Sequence, residues 1–473
     1  MAGISSLGVG SGLDLSKLLT QLESAERTKL SPLVAQKTTN DNKISAFGSL
    51  KSVLSKLQSA AEVLSKPDAF QKQSSSITGS AIKTVVGDDA VVGSYQINVS
   101  QMARAQSLVA NGVASRDKAM DITAGKMSIS LGSESALGDG SAKALEVNIA
   151  EGSSLEAMRD AINAQARKDG VGVTASIINA GGDTPYRLVI NSNTTGTDSQ
   201  LNVSFSGGGA DAAHFQYDSV THTGAMTQPI AAKNSELTVN AVSITSQTNT
   251  VDGAMQGVTL TLSGEGVTET LSVSRDDAGI KNALNNFVAA YNDLNKTISS
   301  LSSYDATSKT GGTLLGDSTL RNVQNAVRNV MTGSVSGGLE RLSNAGIALQ
   351  LDGTLKVDDT RLNKVMANDF NALTDFFAGA AGDDKGGFAD KVKTALDDIL
   401  SDKGILKNAT DGLNTHNKEL SDRYDRMEKS IDATILRYQA QFAQLDKVVS
   451  QMNTTSSYLT QQFDAINAQM KAR

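Results

Sequence analysis

The carboxyl-terminal part of the chain carries a long helical pattern of apolar side chains, which constrains the fold more than any other feature. Steps of four and three residues alternate as in a coiled-coil seam, and two consecutive four-residue steps around Ile431 shift the seam locally. The pattern predicts one helix on the order of 75 Å long, which is more than a small domain can cover. Such a helix needs a partner, and its repeating positions are Leu420, Tyr424, Met427, Ile431, Ile435, Tyr438, Phe442, Leu445, Val449, Met452, Ser456, Leu459, Phe463, Ile466 and Met470.

A second helical pattern lies at the amino-terminal end. Leu15, Leu18, Leu19 and Leu22 recur at helical spacing, the polar residues 37–42 interrupt the stripe, and apolar positions resume from Ile44. The two terminal stripes are able to pack on each other within one chain or to face other subunits. The sequence leaves both arrangements open.

The glycine-rich segment GVGSGLD precedes the first stripe. Its spacing of Gly8, Gly10 and Gly12 has no preceding strand and no Lys-Ser or Lys-Thr pair, so neither the dinucleotide-binding nor the P-loop pattern is met. Ser11 and Asp14 fit a capping box, in which each side chain accepts a backbone N–H at the helix start. The segment therefore predicts a flexible leader and a helix start.

Residues 77–273 change to the period-two pattern of half-buried strands. The helical stretch SSLEAMRDAINAQARK interrupts them and is followed by GVTASIIN and YRLVINSN, which predicts a helix followed by two strands. Gly-, Ser- and Thr-rich stretches at residues 132–141 and 207–224 bound this second β-rich module. Helical spacing returns after Asp276, and the pair Asp352-Gly353 predicts a hairpin with a type I′ turn.

These patterns predict an α+β multidomain chain with a discontinuous helical stem, coiled-coil legs formed by both termini, and two inserted β-rich head domains. The expected leg is a helix in residues 1–42 that pairs with residues 430–473 and is disordered when free. Residues 43–76 with 275–429 form the expected helical stem, with its small hairpin. Residues 77–114 with 230–274 form the first β-rich head domain, and residues 115–229 form the second.

Composition narrows the functional classes. The net charge of −7 and the absence of a basic stripe argue against a nucleic-acid partner. No apolar run is long enough for a membrane span, and residues 1–12 lack the basic and apolar regions of a Sec signal. The chain has no cysteine, and its three histidines form no metal or nucleophile motif, so we predict no enzyme, no catalytic residue, no cofactor and no metal.

Several segments resemble the bacterial flagellar filament cap proteins, the hook-associated protein 2 family. They include SSLGVGSGLDLSKLLTQLESAERTKLSPL, GSYQINVSQMARAQSLVA, SQTNTVDGAMQGVTLTL, LSNAGIALQLDGTLKVDDTRLNKVM and RYQAQFAQLDKVVSQMNTTSSYLTQQF. The resemblance spans both ends in the same order and is weakest over residues 115–229. One departure is Asn240-Ala241, which stands where the family often has an Asp-Gly turn.

The resemblance implies a structural protein that caps the distal end of the flagellar filament. It implies a small, pentamer-like ring of this chain, which promotes the folding and insertion of exported flagellin beneath it. The further implied partners are hook-filament junction proteins and a dedicated export chaperone. Secretion through the flagellar type III route, to the extracellular filament tip, follows from the same resemblance.

Periodicity together with these motifs predicts a leg seam that contacts other axial proteins. Its residues are Leu18, Leu22, Tyr438, Phe442, Leu445, Leu459 and Phe463. Two alternative functions stay open from the sequence. One is a host mucin or glycan adhesin acting through the head domains, and the other is a flagellin-like or hook-filament junction subunit.

Overall fold

A computed structural model describes residues 7–132, 143–380 and 386–471 of the 473-residue chain. The described residues form two compact units. One unit contains the segments that end at Ala69 and begin at Ile280, and the other is Phe70–Gly279. The first unit is mainly helical and the second is β-rich, so the predicted fold class, with helical termini and inserted β-rich domains, is confirmed.

The helices of the described residues are longest at the two ends of the chain. They are α1 Leu15–Arg27, α2 Ser31–Leu64, α3 Asp68–Gln71, α4 Leu155–Asp169, α5 Asp277–Ser302, α6 Ser318–Thr332, α7 Asp359–Asn368, α8 Phe370–Ala378, α9 Phe388–Leu400 and α10 Ile405–Lys471.

The amino-terminal helices are divided at a different place from the one expected. A short 3₁₀ segment, Thr28–Leu30, separates α1 from α2, and Pro32 lies in the first turn of α2, where a missing N–H costs nothing. Residues 37–42 are helical throughout, so the boundary expected between residues 42 and 43 does not interrupt the helix. The polar stretch does not end α2 because Asn40 is buried on its packed face.

Helix α10 extends over 67 residues, and at 1.5 Å per residue it is about 100 Å long. It begins at Ile405, well before the predicted start near Leu420. Its first part packs against α2 and α9.

The helical unit is centred on an aromatic cluster and on the aliphatic face of α2. Phe388 stacks on Phe376 with ring centroids 5.3 Å apart, and it meets Phe287 and Phe377 edge to face, each at 6.0 Å. The aliphatic face of α2 contributes Leu50, Leu54, Leu57, Ala61 and Leu64, each at most 1% exposed.

The strands pair in antiparallel fashion throughout the described sheets. They are β1 Gln73–Ile77, β2 Ile82–Val86, β3 Gly93–Gln101, β4 Ser107–Val109, β5 Gly125–Leu131, β6 Lys143–Ile149, β7 Val173–Asn179, β8 Tyr186–Ser192, β9 Leu201–Phe205, β10 Tyr217–Asp218, β11 Thr223–Gly224, β12 Thr227–Ile230, β13 Ser235–Val239, β14 Val242–Ser246, β15 Thr250–Met255, β16 Val258–Leu262, β17 Val267–Arg275, β18 Tyr304–Asp305, β19 Thr310–Gly311, β20 Ile347–Leu349 and β21 Leu355–Val357.

The β-rich unit has two hydrophobic cores. The first lies between the sheet β1-β17-β3-β13-β14 and the sheet β15-β16-β2, with Ile97 and Leu260 fully buried. The second is formed by the sheets β11-β10-β9-β5-β6 and β12-β4-β8-β7 together with α4. The predicted succession of a helix and two strands is confirmed by α4, β7 and β8.

The observed limits of these regions differ from the expected ones. Leu108 and Val113 belong to the second core, although residues up to 114 were expected in the first head domain. Strand β12 pairs with β4, so the second region continues to Ile230. Strand β1 pairs with β17, which places residues 73–76 in a sheet and not in the helical stem. These contacts join residues far apart in sequence, so composition gave no sign of them.

The hairpin predicted around Asp352-Gly353 is formed by β20 and β21, but its predicted turn type is wrong. The Gly353 N–H donates to the Gln350 carbonyl at 3.0 Å, so Leu351 and Asp352 are the central turn residues. Of the loop residues, Gly353 alone has a positive φ, 83°. A type I′ turn requires positive φ values at both of its central residues. Leu351 is consequently fully exposed at the tip.

A two-residue turn with both φ values positive occurs instead between β13 and β14. Asn240 and Ala241 have φ values of 48° and 70°, and Val239 pairs with Val242 on either side. Asn240 is anchored because its N–H donates to the Gln96 carbonyl and its Oδ1 accepts the Gln96 N–H, each at 2.9 Å. Ala241 has no such compensation for its left-handed backbone.

We expect Ala241→Gly to raise the free energy of unfolding of the β-rich unit by about 1 kcal/mol. The left-handed conformation costs a residue with a Cβ roughly 1–2 kcal/mol, and the greater flexibility of glycine in the unfolded chain offsets part of the gain. Thermal unfolding of the full chain measures the change. Ala144→Gly on the exposed face of β6 is the matched control and should lower stability, and an equal loss in both variants would contradict strain at Ala241.

Candidate functional site

The amino-terminal helices lie antiparallel to α10, and the contacts follow one register. Ser11 meets Asp446, Arg27 meets Glu428 and Asp432, and Asn40 meets Asn417. We call this contact of residues 11–40 with residues 416–446 the terminal seam. The expected partner of residues 1–42 was 430–473, so the observed partner segment lies closer to the start of α10. The shift follows from the continuity of α2, which brings Asn40 level with Asn417.

Charges lie at the rim of the terminal seam. The Arg27 guanidinium is 3.4 Å from a Glu428 oxygen, 3.2 Å from an Asp432 oxygen and 2.9 Å from Glu23 on its own helix. The hydrogen bond to Glu23 is the main cause of the raised pKa of Arg27. All of these side chains are well exposed, so the pairs contribute to orientation more than to stability.

The glycine-rich leader is held against α10 by Asp446. The Ser11 N–H donates to the Asp446 carboxylate at 2.7 Å, the Ser11 hydroxyl donates to the same oxygen, and the Gly10 N–H lies 3.4 Å from the other. The leader is folded back by a hydrogen bond from the Gly12 N–H to the Gly8 carbonyl at 2.9 Å. Gly8 has a φ of 94°, and a Cβ there would lie 2.0 Å from a backbone oxygen, so this turn requires glycine.

The predicted capping box is therefore wrong. Asp14 caps α1 by accepting the Lys17 N–H at 3.2 Å, whereas Ser11 bonds to Asp446. The sequence could not show this because Ser11 and Asp446 are 435 residues apart. The hydrogen bond from the Ser11 hydroxyl, followed by those from backbone N–H groups, lowers the pKa of Asp446.

We expect Asp446→Ala to release the leader from α10, because alanine offers no acceptor to the Ser11 N–H and hydroxyl. The pKa of Asp446 is lower in the folded chain, so its stabilising contribution is present above its ordinary pKa and is lost as the pH falls through the lowered value. Protection from hydrogen exchange at Ser11 and Leu13, measured against the intrinsic exchange rate at each pH, should therefore fall in acid, and in Asp446→Ala it should be low at neutral pH as well. Asp464→Ala, which removes an exposed carboxylate from the same helix, is the control. Unchanged protection in Asp446→Ala would contradict the clamp.

The predicted seam residues on α1 are not its buried ones. Leu15 and Leu19 are buried at 4% and 5% exposure, whereas Leu22 is half-buried and Leu18 is 43% exposed. The apolar spacing alone did not distinguish Leu18 from Leu19, because adjacent leucines fit the same stripe.

The predicted seam residues on α10 fall into two groups. Tyr438 and Phe442 are half-buried and stack with ring centroids 6.5 Å apart, and Leu445 beside them is 43% exposed. Leu459 and Phe463 lie further along, where every residue from 451 to 470 is exposed. The structure thus brings Tyr438 and Phe442 together and separates them from Leu459 and Phe463.

The last part of α10 presents an apolar stripe that no described residue covers. We call this stripe the tail face. Its side chains recur at heptad positions and are between 48% and 67% exposed, and they are Met452, Leu459, Phe463, Ile466 and Met470. A soluble helix with a stripe of this width ordinarily packs against another helix. The arrangement is suited to binding another protein.

The described residues also bear on membrane insertion and on metal binding. None of the described helices combines the length and apolarity needed to cross a bilayer. Within the same ranges, His, Asp and Glu side chains form no group of three or more that is able to hold a metal ion.

Comparisons with known proteins identify the family. The family model of the flagellar hook-associated protein 2 C-terminus matches residues 232–454, and that of its N-terminus matches residues 11–106. The hook-associated protein 2 of Salmonella typhimurium is 38% identical over 99% of this chain and 100% of the relative. That of Escherichia coli K12 is 37% identical over 98% and 99%. This chain belongs to the flagellar hook-associated protein 2 family.

A solved hook-associated protein 2 agrees with the fold described above. The crystal structure of the D1-D2-D3 domains of the flagellar cap protein FliD from Escherichia coli matches with a TM-score of 0.62 at 33% identity. The match covers 78% of this chain and 99% of that one. A flagellin hook IN motif also matches residues 135–194, which include α4, β7 and β8. The resemblance drawn from the sequence is confirmed.

The two hook-associated protein 2 family models place the terminal seam within matched sequence. The N-terminal model begins at residue 11, where Ser11 is held by Asp446, and the C-terminal model includes Asn417 and Asp446. Neither Asn40 nor Asp446 was predicted as a member of the terminal seam. The heptad position of Asn40 in α2 could have indicated that it is buried there, whereas no local pattern indicates the contact of Asp446.

Proposed function

We propose that this chain caps the distal end of the bacterial flagellar filament. In that position it promotes the folding and insertion of exported flagellin beneath the cap, and filament elongation and motility depend on it. The observation that carries the proposal is similarity over nearly the full length to proteins named hook-associated protein 2, together with the match to a flagellar cap structure. Family membership favours a structural role over an enzymatic one.

The tail face supports a more specific role for the terminal helices. A cap must hold the filament end and still allow subunits to enter, so its contacts must be exchangeable. Apolar side chains on a single exposed helix are able to form such contacts without first unfolding a core. We propose that Leu459 and Phe463 contact flagellin or hook-filament junction proteins, and that Leu18, Leu22, Tyr438, Phe442 and Leu445 support this leg.

We propose further that several copies of the chain form a small ring at the filament tip. Export through the flagellar type III route, with a dedicated chaperone, would deliver it there. The glycan-adhesin and filament-subunit alternatives are not favoured, because relatives matching the whole chain carry the hook-associated protein 2 name.

Deletion of the gene in the source bacterium tests the capping function. We expect deleted cells to release flagellin monomers into the medium and to lack filaments, and expression of the intact chain should restore filaments and swimming. Filaments of normal length in deleted cells would overturn the proposal. Light scattering of the purified chain over a concentration series tests the ring separately, since a closed ring gives one limiting mass and an open polymer does not.

A further inference from the structure

The packed face of α2 is a heptad repeat with one polar member. Leu33, Asn40, Phe47, Leu54 and Ala61 follow one another at seven-residue steps, and all five are buried. Asn40 is 8% exposed, and it is the buried polar residue among the described residues of this helix. Burying an amide at such a position reduces stability unless the amide finds hydrogen-bond partners.

The side of α10 that faces α2 is also a heptad row that contains one amide. Its inward positions alternate steps of four and three residues, and they are Leu406, Thr410, Leu413, Asn417, Leu420, Tyr424, Met427 and Ile431. Asn417 is the amide in this row. It lies opposite Asn40, and the Asn40 Nδ2 donates to the Asn417 Oδ1 at 3.0 Å.

Neighbouring groups satisfy further hydrogen bonds of the two amides and determine how the Asn417 amide is oriented. The Asn417 Nδ2 donates to the Asp41 carboxylate at 2.6 Å, and the Asn40 Nδ2 also donates to His416 Nδ1 at 3.0 Å. A carboxylate only accepts, so Asp41 requires the Asn417 amide to present its nitrogen there and its oxygen to Asn40. The four groups therefore fit together in one arrangement.

A displaced register loses this arrangement. If α10 moved by one heptad along α2, Asn40 would face Thr410 or Tyr424, and Asn417 would face Leu33 or Phe47. The hydroxyl of Thr410 already donates to the Leu406 carbonyl. Each slip would bury an amide without its partners, whereas aliphatic positions of a heptad tolerate such a slip well.

We propose that Asn40, through its pair with Asn417, is the residue that sets the register of the terminal seam. The ion pairs of Arg27 follow the same register, but they are exposed at the rim and discriminate less between registers. The half-buried Asp446 clamp follows it too, but it holds the leader that precedes α1 and not a packed helix face. The Asn40–Asn417 pair thereby fixes how far the tail face extends beyond the seam. The inference rests on the geometry of α2 and α10 and is independent of the proposed function.

Pulsed electron paramagnetic resonance on the full chain tests the register. The chain has no cysteine, so Ala35→Cys and Ala433→Cys place two spin labels at exposed positions of α2 and α10. These positions are offset along the helix axis, so a slip of one heptad changes their axial separation by about 10 Å. Labelled protein is diluted with unlabelled protein so that only distances within one chain are measured.

We expect one distance in the labelled parent and a second, displaced population in Asn40→Leu. Helix content should be retained, because leucine fits the heptad. Asn42→Leu, an exposed position of the same helix, is the matched control and should keep the single distance.

Asn40→Leu leaves Asn417 without its amide partner, so Asn40→Leu/Asn417→Leu is measured as a second variant. It should fold with helix content equal to the parent and should show the displaced population most clearly. A single parental distance in this double variant would overturn the proposal. Loss of the helical fold in the double variant would also contradict it, because the aliphatic heptads would then be insufficient to hold the seam without the amides.

Discussion

Replacing Leu459 and Phe463 together by aspartate is expected to abolish filament growth while leaving the fold of the chain intact. Both side chains are largely exposed, at 49% and 63%, so their replacement removes no buried contact among the described residues. Exposed substitutions of this kind usually change the free energy of unfolding by less than about 0.5 kcal/mol. A charge on the tail face would instead have to be desolvated in any apolar contact with another axial protein.

Swimming in soft agar and filament length by electron microscopy measure the effect, in cells whose only copy of the gene carries the variant. We expect motility to fall to the level of the deleted strain and flagellin monomers to appear in the medium. Thermal unfolding of the purified variant should match that of the parent. Gln461→Asp/Asn467→Asp adds the same charges to exposed polar positions of the helix and should leave swimming unchanged. Normal filaments with Leu459→Asp/Phe463→Asp would show that the tail face is not a binding surface.

This pair is a sharper test than Phe442 and Leu445. Phe442 is half-buried and stacks on Tyr438, so an aspartate there would disturb the terminal seam as well as any outer surface. Loss of function would then have two causes. Leu459 and Phe463 avoid this ambiguity because they lie beyond the contacts of Asp446 with the leader.

The sequence predicted those parts of the fold that repeat locally. The heptad spacing of α10 identified a long helix, and the alternation in residues 77–273 identified the strands, because both signals depend on neighbours within a few residues. Periodicity also grouped Tyr438 with Phe442, whose rings stack on each other, and their contact with other axial proteins stays a prediction. It gave the fold class without giving the register of any long-range contact.

The errors arose where a distant residue decides the local structure. The sequence placed Asn40 in a polar break of the helix, because its partner Asn417 lies in another helix. It predicted Ser11 as a helix cap, because the distant residue Asp446, which binds Ser11, leaves no local sign in the sequence. At Asn240-Ala241, hydrogen bonds to Gln96 hold a turn that the sequence does not favour, whereas the favoured pair Asp352-Gly353 adopts a different one. In each case a contact formed by the tertiary fold overrides the local preference.

Replacing Phe388 by alanine is expected to have the largest effect on stability, a loss of roughly 3–5 kcal/mol from the helical unit. Phe388 is 1% exposed and contacts three other aromatic rings, so alanine would leave a cavity that those rings can fill only by leaving their stacked and edge-to-face positions. Helix α9, which carries Phe388, also packs on α2 and on α10. The loss should therefore weaken the support of the terminal seam.

Denaturant unfolding followed by the helical circular dichroism signal measures this loss, while hydrogen exchange of β3 and β17 reports on the β-rich unit in the same chain. We expect the helical transition to move to lower denaturant and exchange in the β-rich unit to stay at the parental rate, since its cores contain neither α9 nor α2. Phe463→Ala is the control for removing an exposed phenylalanine and should leave both signals in place. If Phe388→Ala instead destabilised both units equally, the two would unfold as one cooperative body, and the separation of stem from heads would be wrong.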